Sequence, residues 1–173
     1  MLLSRWYSTR VDERRTQAAH DEEQYGVSSS SVILPCQSCR TLNRVPAEKL
    51  ADHPRCGHCR TPLSFPSSPA SATAASFDRD AADWQELLLV EFWSVTCGYC
   101  RMVEPVVRDL AAWRAGRVKV LLVDIQAELP LAQRFGVMAT PTFILFRKGQ
   151  QIARIDGAPK EKLDLLRWVD QHL

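Results

Sequence analysis

Leu87-Leu88-Leu89-Val90-Glu91-Phe92-Trp93-Ser94-Val95-Thr96-Cys97-Gly98-Tyr99-Cys100 is an apolar run that ends on a Cys-x-x-C pair. A run of this length and composition reads as a strand buried on both faces, and a Cys-x-x-C where a strand hands over to a helix is redox geometry. If a helix begins at Cys97, its unpaired N–H groups and the positive end of its dipole stabilise a thiolate there. Such stabilisation lowers the Cys97 pKa and makes it the attacking sulfur. Cys100, one turn further in, is then placed to displace a mixed disulfide and close a Cys97–Cys100 bond, so the chemistry is thiol–disulfide exchange. A second metal site or two core thiols are the competing readings, but a two-thiolate metal site needs further ligands that the neighbourhood does not supply.

With 173 residues, 46% of them hydrophobic, the chain has room for one domain of ordinary size and something smaller. Its six cysteines fall into three close pairs, 36/39, 56/59 and 97/100, which is not the scattered arrangement of a disulfide-stapled secreted domain. The formal net charge of +2 is too small to imply a nucleic-acid partner. Met1-Leu2-Leu3 is followed at once by Ser4 and Arg5, so neither a signal peptide nor a membrane span is expected, and a reducing, cytoplasmic setting fits.

Cys36-x-x-Cys39 and Cys56-x-x-Cys59, separated by sixteen residues, have the four-thiolate spacing of a zinc ribbon. Each pair makes a tight turn that aims two sulfurs at one point, and two such turns close a tetrahedron. Residues 32–66 hold few apolar side chains, so a structural Zn2+ on Cys36, Cys39, Cys56 and Cys59 would supply folding energy that burial cannot. Vicinal disulfides or free thiols are the alternatives. His53 and His58 lie near the second pair and read as solvated, since four thiolates complete the shell. The segment is mildly basic but nearly lacks interleaved aromatics, which favours a solvated or protein-docking face over a nucleic-acid one.

Residues 1–31 show no periodicity and a serine tract, and read as a disordered tail. Residues 67–76 are small, polar and proline-containing, and read as a flexible linker. Residues 77–173 alternate strand and helix: a helix near 80–86, a strand at 87–93, a helix at 97–113, a strand at 118–124, a helix near 129–135, strands at 143–147 and 151–155 joined by Lys148-Gly149, and a last helix at about 160–171. The pattern is α/β, with an antiparallel hairpin near its end. Trp84, Trp113 and Trp168 are expected to fill helix–sheet contacts, and Pro105 to kink the helix that carries it.

The run from Val90 to Cys100, Pro105 in the next helix, and Phe135-Gly136-Val137-Met138-Ala139-Thr140-Pro141-Thr142 together resemble the thioredoxin family, with Gly149 and Gly157 at that family's turn positions. The four-cysteine segment, with Leu42-Asn43-Arg44-Val45-Pro46 between its pairs, resembles the bacterial thioredoxin 2 type. The likeness covers about residues 35–173. It implies a thioredoxin fold, a central mixed sheet flanked by helices, preceded by a small zinc ribbon. It also implies roles: Cys97 as nucleophile, Cys100 as resolving thiol, and Pro141 as a cis-proline facing them. Backbone beside Pro141, with Thr140, Gly98 and Tyr99, would bind the substrate segment. Trp93 would pack beneath the active-site loop, and Glu91 would stand as the buried acid that assists Cys100 through water. An ordinary solvent-facing carboxylate is the other reading of Glu91.

The sequence departs from the family's usual pattern at Thr96, Tyr99, Thr140 and Leu122, the last standing where a lysine commonly neighbours the acid. Thr96, Tyr99 and Thr140 resemble periplasmic disulfide isomerases of the same fold. Replacing proline by Tyr99 adds an N–H at the helix start, which favours the thiolate and predicts a less negative reduction potential. The activity expected is reduction of protein disulfides, with isomerisation or oxidation as weaker variants, and regeneration by an NADPH-linked flavoprotein thioredoxin reductase. A redox-inactive holdase or adaptor docking through the ribbon is the alternative. No bound organic cofactor, no membrane partner and a monomeric chain are expected.

Overall fold

The computed structural model describes residues 31–173, which form one compact unit. The tail read at 1–31 therefore lies outside the described residues except for Ser31. Two antiparallel strands, β1 (Ser31–Pro35) and β2 (Leu42–Pro46), open the unit, followed by a 3-10 turn over Ala47–Asp52. The main sheet holds β3 (Ala70–Ser71), β4 (Leu87–Trp93), β5 (Val118–Asp124), β6 (Thr142–Arg147) and β7 (Gln150–Asp156). Its helices are α1 (Phe77–Ala82), α2 (Gly98–Trp113), α3 (Leu129–Arg134) and α4 (Lys162–Asp170). The strand order is β3-β5-β4-β6-β7, with β3, β5 and β4 parallel and β6 and β7 antiparallel to their neighbours.

β4 sits at the centre and is apolar except for Glu91, as suits a strand with both faces covered. The two-residue alternation of a strand divides its side chains between two cores. Leu88, Val90 and Phe92 join Phe77, Trp84, Leu121, Ile144 and Phe146 on one side, and Leu87 and Leu89 meet Val107, Leu110, Phe143, Leu165 and Val169 on the other. Glu91 continues the second set and so points to the face covered by α2.

The helix expected near residues 80–86 begins earlier, at Phe77, whose ring packs against Phe135 and Phe146 with centroids 5.1 and 5.7 Å away. It ends before Trp84, which turns inward and donates its indole N–H to the Leu87 carbonyl at 2.9 Å. Trp168 packs part-buried against the α2-side core. Trp113 does not fill a helix–sheet contact: it stands 60% exposed, because the buried stripe of α2 ends on Leu110 and Ala111.

Residues 67–76 are not a free linker. Ala70 and Ser71 pair with Leu121 and Leu122, the Ala72 N–H reaches the Leu122 carbonyl at 2.9 Å, and Ala72 is buried. The small side chains that read as flexibility are those of a short edge strand lying close to its neighbour. Ribbon and sheet also share a core, since Val32, Leu34, Val45, Leu50 and Leu63 belong to the same cluster as Phe77 and Trp84. The Ile33 N–H donates to Glu86 Oε1 at 2.9 Å, and Leu50 packs over Gly116, where a Cβ would come within 3.0 Å of it.

The β6–β7 hairpin turns on Lys148 and Gly149, both at positive φ (51° and 76°), the two-residue turn whose twist suits paired strands. Among the described residues no helix is long and apolar enough to cross a membrane.

Candidate active site and metal centre

The end of β4 delivers the chain to the start of α2. Cys97 is the N-cap in extended conformation, and its Sγ accepts the Cys100 N–H at 3.0 Å, so the first turn of α2 aims a donor at that sulfur. Cys97 and Cys100 form a disulfide with Cα atoms 5.3 Å apart. Their environments differ: Cys97 is half-buried, whereas Cys100 is 4% exposed. Cys97 thus stands nearer the surface and Cys100 inside. The first turn of α2 carries no acid, and Arg101 lays its guanidinium back to the Val95 carbonyl at 3.2 Å.

The Thr140–Pro141 peptide bond is cis, and Pro141 is buried. In the antiparallel pairing of β4 with β6, Phe92 faces Thr142, which brings Pro141 to the same sheet end as the cysteines. The Thr142 hydroxyl hydrogen-bonds the Ala139 carbonyl at 2.8 Å and Asp156 Oδ1 at 3.0 Å, pinning the approach to Pro141. Thr140 is part-exposed. Gly98 opens α2 with space at its Cβ position, the nearest atom being an Arg101 nitrogen at 3.9 Å. Tyr99, Val95 and Met138 expose large apolar side chains on segments that meet at this end of the sheet.

Glu91 is 4% exposed, so the solvent-facing reading is excluded. It lines a pocket of about 350 Å³ together with Trp93, Cys100, Glu104 and Leu122. Burial, with the Glu104 carboxylate adding in the same direction, pushes its pKa up to about 7. Glu104 was not singled out by sequence reasoning. Its four-residue spacing from Cys100 is the signal that would have placed it on the same helix face.

The four ribbon thiols meet at one point, with their sulfurs all within 4.8 Å of one another. The Cys36–Cys59 and Cys39–Cys56 sulfurs are 3.5 and 3.6 Å apart. A tetrahedral Zn–S4 site with bonds of about 2.3 Å has sulfur–sulfur edges of about 3.8 Å, so the donor set and its spacing fit that ion. The two knuckles repeat one geometry. Cys36 and Cys56 each donate N–H to the carbonyl of the threonine five positions on, both at 2.9 Å, and Cys39 and Cys59 each lie 3.3 Å from that threonine's hydroxyl. Arg40 and Arg60 follow the second cysteine of each knuckle at positive φ, 61° and 64°. Asn43 ties the halves together, accepting the Gly57 N–H at 2.8 Å while donating to the Thr41 carbonyl at 2.8 Å. Sequence reasoning missed Asn43, although the doubled Cys-x-x-Cys-Arg-Thr was there to read. His53 and His58 are both exposed.

Comparison with known proteins agrees with this geometry. The thioredoxin family model matches residues 68–171, beginning at the segment that supplies β3, and the model described as "Thioredoxin 2, N-terminal", a zinc ribbon, matches residues 35–61. Thioredoxin C-3 of Corynebacterium nephridii is 35% identical over 142 residues, covering 82% of this chain and 96% of its own length. The thioredoxin of Mycobacterium bovis is 41% identical over 101 residues, covering 58% of this chain and 86% of its own. A solved mutant thioredoxin from Halobacterium salinarum superposes with a TM-score of 0.58 at 27% identity, covering 63% of this chain and 94% of its own. A disulfide-bonded Cys-x-x-Cys at the head of α2, a cis-proline at the same sheet end and these matches over most of the chain lead to one conclusion: the protein belongs to the thioredoxin family of disulfide oxidoreductases and carries an N-terminal zinc ribbon.

Proposed function

We propose that the chain works in the reductive direction on protein disulfides. Cys97 is the nucleophile: as thiolate it attacks a substrate disulfide, forming a mixed disulfide and releasing one substrate thiol. Cys100 loses its proton and attacks the Cys97 sulfur; the Cys97–Cys100 bond forms, the mixed bond breaks, and the second substrate sulfur leaves as thiolate. Two electrons have passed from dithiol to substrate, and an NADPH-linked flavoprotein reductase would restore them. Glu91 takes the Cys100 proton, Trp93 supports the loop, and Pro141, Thr140, Gly98 and Tyr99 form the surface on which an extended substrate segment lies. The single observation that supports this most is the asymmetry of the pair, a half-buried Cys97 capping α2 and a buried Cys100 behind it.

Cys36, Cys39, Cys56 and Cys59 would hold Zn2+, whose contribution is structural cross-linking of the two knuckles. A reducing compartment such as the cytoplasm suits four free thiolates beside a working dithiol.

Insulin-disulfide reduction tests the reading. Activity is expected in the wild type and lost in Cys97→Ser, while Cys100→Ser is expected to trap mixed disulfides with clients. Chaperone-type activity that persists in the double serine variant, without any reductase activity in the wild type, would point instead to an adaptor docking through the ribbon.

A further inference from the structure

The Glu91 carboxylate shares its pocket with a second acid. Glu104 lines the same space of about 350 Å³ as Glu91 and Cys100. Glu91 is 4% exposed and the Glu104 side chain 64%, which makes one carboxylate inner and the other outer. The charges around the inner one are few. From α2 come Glu104 and Arg101, whose guanidinium is turned to the Val95 carbonyl. Arg108 reaches Glu104 only at 3.7 Å and is itself exposed. From β5 the residue paired with Glu91 is Leu122, and from β6 it is Phe143. Asp124, at the end of β5, already accepts the Gln126 N–H at 3.0 Å.

We propose, resting on the reductase reading above, that Glu104 is a positioning residue for the proton leaving Cys100: its carboxylate at the pocket mouth keeps Glu91 able to take that proton at neutral pH. In the step concerned, the proton passes from Cys100 Sγ to the Glu91 carboxylate. The electron pair left on sulfur forms the bond to Cys97, and the leaving substrate sulfur carries away the electrons of the broken bond. A buried carboxylate facing a leucine and a phenylalanine is already a stronger base than one in water, and a like charge nearby makes it stronger still. The raised Glu91 pKa, with Glu104 as its second cause after burial, agrees with this.

The test uses the full chain and Glu104→Gln, a change at an exposed side chain that leaves packing intact. Carbon-13 titration of the Glu91 carboxyl is expected to give a midpoint lower by about 0.5 pH unit than in the wild type, the size of an effect between partly screened like charges. Release of thionitrobenzoate from a mixed disulfide on Cys97 reads closure by Cys100, and its acid limb is expected to move down by the same amount. Glu104→Asp is expected to keep the wild-type midpoint. In a Glu91→Gln background Glu104→Gln is expected to move nothing. An unmoved Glu91 midpoint, or a limb that moves equally without Glu91, overturns the inference while leaving the reductase reading intact. A wild type that neither releases thionitrobenzoate nor reduces insulin overturns both.

Discussion

Leu122 stands directly opposite Glu91 in the parallel pairing of β4 with β5, so the buried acid has an apolar side chain where a cation would neutralise it. The consequence is a stability cost with a defined pH window. A carboxyl whose folded pKa is raised above its unfolded value destabilises the fold whenever it must ionise, so stability falls as pH rises from the unfolded value to the folded one. For Glu91 that window runs from 4.5 to about 7.

Glu91→Gln is therefore expected to stabilise the protein at pH 8 by about 3 kcal/mol, the free energy of a shift of this size. The advantage shrinks as pH falls through this window and vanishes below pH 4.5, once the wild-type carboxyl is neutral in both states. Urea unfolding of both proteins across this range measures it. Leu122→Lys is expected to bring the Glu91 pKa down by offering a positive partner.

Tyr99 bears on the redox poise. An N–H in place of a proline at the helix start, together with the Cys100 N–H that already reaches Cys97 Sγ at 3.0 Å, favours the thiolate of the reduced form. A glutathione redox titration is expected to give a potential above about −270 mV, and Tyr99→Pro to move it downward.

Metal removal is expected to loosen more than the ribbon. Cys36 and Cys56 are fully buried in the cluster that also holds Phe77 and Trp84. Chelation should lower the melting temperature of the whole described unit in a single transition. Asn43→Ala, which strips the second knuckle of its 2.8 Å bond to Gly57 N–H, is expected to weaken metal retention about 10- to 100-fold, as outer-shell losses do. Competition with a zinc-chelating dye and calorimetry check the two outcomes.

Arg154 braces the segment that leads to Pro141. It donates to the Phe135 carbonyl at 2.6 Å and the Gly136 carbonyl at 3.1 Å. Arg154→Ala leaves these acceptors without that donor and is expected to cost about 1 kcal/mol in chemical unfolding. The Asp156 carboxyl, held below its usual range by Arg154 and then by Thr142, should titrate higher in this variant.

Elements whose apolar pattern has one interpretation were readable in advance. β4 and β5 begin and end at the residues expected of them, and α2 starts one residue after the cysteine that caps it. What escaped is set by partners distant in sequence. Small residues at 67–76 have no pattern of their own, and two of them, Ala70 and Ser71, become a strand because β5 offers an unpaired edge. Trp113 is apolar enough to be counted inside, yet α4 covers α2 through Leu165 and Val169 on a stripe that does not include it. At the site, the Cys-x-x-Cys pairs announced themselves by spacing, whereas Glu104 and Asn43 act through neighbours 13 and 14 positions away, Glu91 for the first and Gly57 for the second.

Gly116, with φ of 80° and Leu50 lying where a side chain would begin, has a wider meaning for how this molecule can be cut or grafted. A version trimmed to the catalytic portion would leave bare the greasy floor on which Leu50 and Phe65 rest, and such floors invite clumping. The four-cysteine piece is thus a lid cemented to its box, and swapping it between relatives would demand that both halves of the seam travel together.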